Sequence, residues 1–120
     1  MQEPLQITFR GIEHSDAIEA RVRTKVAELE RFYDRITSCR VTVDARHKHH
    51  HKGNLYAVRV ELHLPEADIV VGREHEDEHA HEDLYVALRD TFDAAVRQVQ
   101  DFAQKQRGEV KRHEVPGPQS

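Results

Sequence analysis

The chain has 120 residues, of which 33% are charged and 38% hydrophobic, and its formal net charge is −4. This length suits one domain with a modest core, and no apolar run is long enough to cross a membrane. Cys39 is the single cysteine, which excludes an internal disulfide and fits a reducing cytoplasm.

Charge is distributed unevenly along the chain. Residues 66–83 contain eight acidic side chains and one basic one, a net charge of −7, so the remaining residues carry +3. The overall charge therefore gives little information about a nucleic-acid partner, because the basic residues lie in other parts of the chain.

The first half of the chain predicts a strand, a helix and a second strand. Apolar and polar residues alternate over 5–10, the pattern of a half-buried strand. Ser15 is a candidate N-cap for a helix that continues to about Arg35, because apolar residues then recur at helical spacing. Alternation over 40–45 predicts the second strand.

The second half predicts two more strands and a longer helix. A polar turn at 47–54 leads into a nine-residue alternation at 56–64, and a short strand follows at 68–73. An acidic, histidine-rich link at 74–82 precedes a helix over 83–106, for which Gly108 is the expected stop signal. We expect one domain over residues 1–107 and a polar, disordered tail over 108–120.

The predicted order β-α-β-β-β-α places the chain in the α+β class. A right-handed crossover should make the first two strands parallel, and short turns should make the next two pairings antiparallel. Two amphipathic helices would then cover one face of a four-stranded sheet, leaving the other face to water. The expected core consists of Ile7, Phe9, Ile18, Val22, Val26, Leu29, Val41, Val43, Val58, Val60, Leu62, Tyr85, Leu88, Phe92, Val96 and Val99.

Charge is segregated around the first predicted helix. Projected at about 100° per residue, basic residues occupy one flank of its apolar stripe and mostly acidic residues the other. Such a basic ridge could follow a phosphate backbone, although an ordinary solvated helix face explains it about equally well. The ridge consists of Arg21, Lys25, Arg31 and Arg35.

The 47–54 turn and its flanks offer a second basic group. Arg46, Lys48 and Lys52 could reach phosphates, while a polar hairpin turn is the simpler alternative. The histidines of this turn and of the acidic link are weak metal candidates, because their spacing matches none of the common zinc-ligand patterns. We therefore expect no metal, and we expect no other cofactor. These candidates are His49, His51, His75, His79 and His81.

No arrangement of residues indicates catalysis. The sequence has no glycine-rich phosphate loop, no nucleophile elbow and no thiol with a neighbouring base. We therefore do not expect an enzyme.

Two segments resemble a known family. Residues 29–36 (LERFYDRI) and 82–88 (EDLYVAL) are similar to the characteristic segments of the ribosome hibernation promoting factors, which include ribosome-associated inhibitor A and were once called sigma-54 modulation proteins. The similarity extends over residues 6–107 and shares the β-α-β-β-β-α order. The chain is similar to the short form of the family, without a C-terminal dimerisation domain.

The resemblance implies a cytoplasmic, non-enzymatic stress factor. Such a protein binds the small ribosomal subunit in the mRNA and tRNA channel and blocks translation, with 16S-type rRNA as its partner and with neither DNA nor membrane involved. Basic residues on both helices face RNA in that family, which here implies Arg21, Lys25, Arg31 and Arg97. The chain departs from the family at Ala94, Gln100 and Asp101, where Lys or Arg is common, and in its histidine-rich turn.

Two other classes of function stay open from the residues alone. A histidine-rich module that buffers or senses metal could use the same fold. A protein-interaction module could bind a basic partner through the acidic link.

Overall fold

Four strands and two helices form an α+β domain in the expected order, as a computed structural model shows for residues 1–47, 54–76 and 81–114. The strands are β1 (Gln6–Arg10), β2 (Ser38–His47), β3 (Asn54–His63) and β4 (Asp68–Glu76). The helices are α1 (Asp16–Phe32) and α2 (His81–Glu114). None of the described helical segments has the length and hydropathy needed to cross a membrane.

The sheet has the order β1-β2-β3-β4 and the predicted pairing. β1 and β2 are parallel, with Ile7 opposite Val41, while β2 and β3 are antiparallel, with Val41 opposite Val60. β3 and β4 are also antiparallel. Because alternate residues point to opposite faces, this register aligns the apolar residues of all four strands on one face.

Both helices pack on that apolar face, as predicted. The residues of β2, β3 and β4 that point toward the helices are buried, among them Val43, Val58 and Val71. They form one cluster with the apolar stripes of α1 and α2. Of the residues expected in the core, Ile7, Phe9, Tyr85 and Val96 are only half-buried, because they lie at the margins of this cluster.

The first helix begins as predicted and ends earlier than predicted. The Ser15 side chain accepts a hydrogen bond from the Ile18 amide at 3.2 Å, which caps the helix. The helix ends at Phe32 instead of about Arg35, because Tyr33 adopts an extended conformation and turns its ring into the core. Phe32 consequently points outward and is 53% exposed.

The second helix is longer than predicted. It has 34 residues and passes through Gly108, so the stop predicted at that glycine is wrong. A glycine inside a helix costs only about 1 kcal/mol relative to alanine, and good helix formers such as Lys105, Arg107 and Lys111 surround this one. The division of the chain into a domain over 1–107 and a tail over 108–120 stays a prediction.

The buried stripe of α2 is rotated slightly from the predicted one. Leu84, Ala87, Thr91 and Ala94 are buried although periodicity had not selected them. The Thr91 hydroxyl donates a hydrogen bond to the Ala87 carbonyl at 2.7 Å, which lets a polar side chain occupy a core position.

Two phenylalanines provide a direct test of this core. Phe92→Ala is expected to lower the free energy of unfolding by about 3–5 kcal/mol, because Phe92 is fully buried between α2 and the sheet. Phe32→Ala is the matched control and should change stability by less than about 0.5 kcal/mol, since that ring is exposed. Urea denaturation of both variants measures the difference, and equal losses would contradict the assigned core.

Gly11 is required by the turn that follows β1. Its φ is 68°, and a Cβ at this position would collide with the backbone carbonyl oxygen of Ala45. Gly11→Ala should therefore destabilise the protein by at least about 1–3 kcal/mol. Gly72→Ala is the control, because a Cβ at position 72 would make only an ordinary contact with Val58. The melting temperature of this variant should stay the same or rise.

Cys39 is an internal thiol whose reactivity reports on the fold. Burial, and to a lesser extent the negative charge of Glu30, raise the pKa of the Cys39 thiol from 9.0 to about 12. The native protein should therefore not react with a thiol-specific disulfide reagent at mildly alkaline pH, and it should react at once after unfolding in urea. Rapid labelling of the native protein would show that β2 does not hold Cys39 in the core.

Candidate RNA-binding surface

The outer surfaces of α1 and α2 form a continuous platform on the side of the molecule away from the sheet. The helices run parallel, because Arg21 near the start of α1 contacts Tyr85 near the start of α2, and Tyr33 at the end of α1 contacts Phe102. The Tyr33 ring packs edge-on against Phe102 at 5.8 Å, and its hydroxyl donates to Gln106 Oε1 at 3.3 Å. These contacts fix the two helices side by side.

Arg21 is held at the junction of the helices with its charge accessible. Its guanidinium lies 5.4 Å from the centre of the Tyr85 ring. This cation–π contact limits the motion of the side chain and leaves the charge available to an anion, because no carboxylate of the described residues pairs with it.

Lys25 lies one turn further along the same flank. Its ammonium group is 3.9 Å from a carboxylate oxygen of Glu28, and its side chain is only 21% exposed. A partly exposed pair at this distance is weak, so Lys25 can exchange Glu28 for a phosphate at small cost.

Arg31 and Arg35 are exposed, and no carboxylate of the described residues forms an ion pair with either. Arg31 lies in the last turn of α1, whose carbonyl end favours positive charge. Arg35 follows the end of the helix, so the helical projection that placed it on the same flank as Arg31 does not apply to it. It still lies close to Arg31 in the chain, and both are free to contact a polyanion.

Charged residues on the other flank of α1 have ion-pair partners, on the flank itself or at Met1. Arg23 lies 3.6 Å from Glu19, and Glu30 accepts a hydrogen bond from the Met1 ammonium group at 2.9 Å. The segregation predicted from the sequence thus holds within the helix, and one flank presents basic groups that are largely unpaired.

The second helix carries the predicted Arg97 and two further exposed arginines, Arg89 and Arg107. At about 100° per residue, Arg97 lies about 120° around α2 from Tyr85 and nearly opposite the buried stripe, so it lies on the outer surface of α2. Arg89 and Arg107 each lie about 40° from Tyr85, on the flank beside α1. Neither Arg89 nor Arg107 was among the residues predicted from the sequence. Their spacing from Tyr85 indicates their position on α2 only once Tyr85 is known to face α1.

The structure describes some of the candidate residues in and next to the 47–54 turn and among the histidines. Arg46 lies near the end of β2, on the open sheet face, and its Nε donates to Asp44 at 2.9 Å. The predicted candidates Lys48, Lys52, His49, His51 and His79, together with the side chains of His75 and His81, lie outside the described residues.

One exposed group of possible metal ligands occurs in the described part of the chain, at the start of α1. His14, Asp16 and Glu19 place their donor atoms within 4.8 Å of one another. His14 Nε2 is 2.9 Å from Asp16, and the two acids lie in the first helical turn, where the helix dipole favours them. This local role accounts for the group without a metal.

Comparison with known proteins gives the family. Residues 5–107 match the model of the sigma 54 modulation protein / S30EA ribosomal protein family. The chain belongs to this family. The resemblance seen in segments 29–36 and 82–88 is therefore confirmed.

Individual relatives agree with this assignment. The chain is 32% identical over 117 residues to the ribosome hibernation promotion factor of Deinococcus radiodurans, covering 94% of this chain and 57% of that protein. It thus spans little more than half of that relative's length.

Solved structures share the fold. A ribosomal subunit interface protein from Coxiella burnetii is 17% identical with a TM-score of 0.64, over 83% of this chain and 97% of that one. The N-terminal domain of Protein Y from Thermus thermophilus is 25% identical with a TM-score of 0.59, over 81% and 94%.

Proposed function

We propose that this protein is a ribosome-associated translation inhibitor, a hibernation factor that binds the small subunit in the mRNA and tRNA channel. Its family membership and its similarity to a ribosome hibernation promotion factor support a ribosomal partner. The basic platform formed by α1 and α2 supports rRNA as the chemical partner. No chemical step is needed, because occupying the channel would exclude mRNA and tRNA.

The observation that carries the proposal is a group of basic residues, on α1 and just after it, that form no ion pair with the described carboxylates. Arg31 and Arg35 are exposed without a carboxylate partner in the described part of the chain, and Arg21 is fixed in position by Tyr85. Each cation that neutralises a phosphate releases condensed counterions, and this gain favours binding. Glu19 and Glu30, on the opposite flank of the same helix, have ion-pair partners of their own, and this flank would face away from RNA.

The two helices together extend this surface. Arg89 and Arg107 of α2 lie on the flank nearest α1, so the platform has basic groups on both sides of the helix junction. Arg89 is 3.3 Å from Asp90, an exposed pair that a phosphate can replace at little cost. Arg97 is exposed on the outer surface of α2 and stays a predicted contact.

A matched pair of charge reversals on α1 tests the proposal. Arg31→Glu should weaken association with purified small ribosomal subunits and relieve inhibition in a cell-free translation assay. It should also reduce the slope of log affinity against log salt by about 0.7–0.9 for the lost phosphate contact.

Arg23→Glu is the control, since it makes the same charge change on the same helix from the flank that is already paired. Its affinity should fall much less, and neither melting temperature should shift by more than a few degrees. Equal losses in the two variants would mean that total charge matters and that the basic flank is not the contact surface. Reversal of Glu30 is a poorer control, because it removes the ion pair with the Met1 ammonium group.

A further inference from the structure

The open face of the sheet contains a groove that the proposed ribosome contact does not use. The groove encloses about 590 Å³ and lies across all four strands, on the face opposite the helices. Residues from each strand line it, including Arg10 of β1, Arg46 of β2, Arg59 of β3 and Gly72 of β4.

Three arginines surround one carboxylate in this groove. Asp44 lies directly opposite Arg10 across the β1–β2 pair. Arg46 is two residues further along β2, on the same face, and Arg59 of β3 lies opposite Thr42, two residues before Asp44. Asp44 is therefore flanked by positive charge and offsets part of it, chiefly that of Arg46, with which it pairs.

The positive charge of the groove is only partly neutralised. Arg46 pairs with Asp44 at 2.9 Å, and Arg59 pairs with Glu61 at 3.4 Å. Arg10 is exposed, and no carboxylate of the described residues forms an ion pair with it. Four arginines and two acids, Asp44 and Glu74, line the groove. Together with Glu61, which pairs with Arg59 from outside the lining, they carry a formal charge of +1.

Small residues keep the floor of the groove open. Thr42, Ala57 and Gly72 occupy neighbouring strands on this face. Packing does not demand the glycine, because a Cβ at Gly72 would make only an ordinary contact, 3.8 Å from the Val58 carbonyl oxygen. A larger side chain would fit the fold and would fill the groove.

We propose that this groove binds the phosphate backbone of a single-stranded RNA segment, as a second RNA site on the face opposite the helices. The cations are spread over three adjacent strands, which suits an extended polyanion more than a single phosphate group. The sheet ladder already uses the backbone amides, so only side chains donate. The described residues that line the groove include no aromatic ring on which a base could stack, so the contacts expected from them are to phosphates.

Such a site would let one domain hold two RNA segments at once. The helices cover one face of the sheet and the groove occupies the other, and the shortest dimension of the domain is 17 Å between Cα extremes. The inference rests on the proposed function only for the ribosomal source of the RNA. The groove itself is argued from its own residues.

Two matched double substitutions separate this site from the helical platform. Arg10→Gln with Arg59→Gln removes two cations from the groove, and Arg31→Gln with Arg35→Gln removes two from the end of α1, so both variants lose the same net charge. The probe is a fluorescein-labelled single-stranded oligouridylate, whose binding is measured by anisotropy over a range of salt concentrations. Each double substitution should reduce the slope of log affinity against log salt by about 1.4, and combining them should add the reductions.

The outcomes distinguish the two sites. A groove variant that keeps the wild-type affinity and slope overturns the inference and leaves the helical platform intact. A platform variant without effect, beside a groove variant that loses affinity, supports the groove and counts against the proposed helical contact. Failure of the wild-type protein to bind the oligouridylate also overturns the inference.

Filling the groove provides a test that leaves charge unchanged. Gly72→Val should weaken oligouridylate binding several-fold and should leave the melting temperature unchanged or raised, because valine suits a strand better than glycine does. Gly72→Ala should have a smaller effect, since a methyl group fills little of the space. Unchanged affinity in Gly72→Val would show that RNA does not enter the groove.

Discussion

Burial of a single sheet face beneath two parallel helices is the constraint on which the rest of this structure depends. The register of the four strands places Val41, Val43, Val58 and Val60 on that face, and no other surface of the sheet is apolar enough to pack. The helices must therefore share it side by side. Their junction, fixed by Tyr33 against Phe102 and by Arg21 against Tyr85, follows from this shared packing.

Stacking the helices on one side leaves two large surfaces free for partners. The outer surface of α1 and α2 is one, and the open sheet face is the other. Each carries arginines that are incompletely neutralised, such as Arg31 on the helices and Arg10 on the sheet. The net charge of −4 conceals both, because eight of the 22 acidic residues are concentrated in residues 66–83.

Most of the fold could be predicted because its signals are local and periodic. The alternation at 56–64 and the N-cap at Ser15 need only the backbone geometry of their own element, and the structure confirms both. The two helix ends were predicted wrongly for different reasons, one a distant contact and the other the helix preference of neighbouring residues. Tyr33 leaves the helix because its ring is stabilised by Phe102, a residue distant in sequence, and Gly108 stays helical because its neighbours favour helix.

The sequence by itself determined the element order, the buried stripes and the division of α1 into a basic and an acidic flank, because each depends on the repeat of one element. Only the tertiary structure decided which arginines share a surface. It places Arg21 of α1 against Tyr85 of α2, and it brings Arg10, Arg46 and Arg59 from three strands around Asp44. Such groupings depend on helix packing and strand register, and these are set by contacts between residues far apart in the chain.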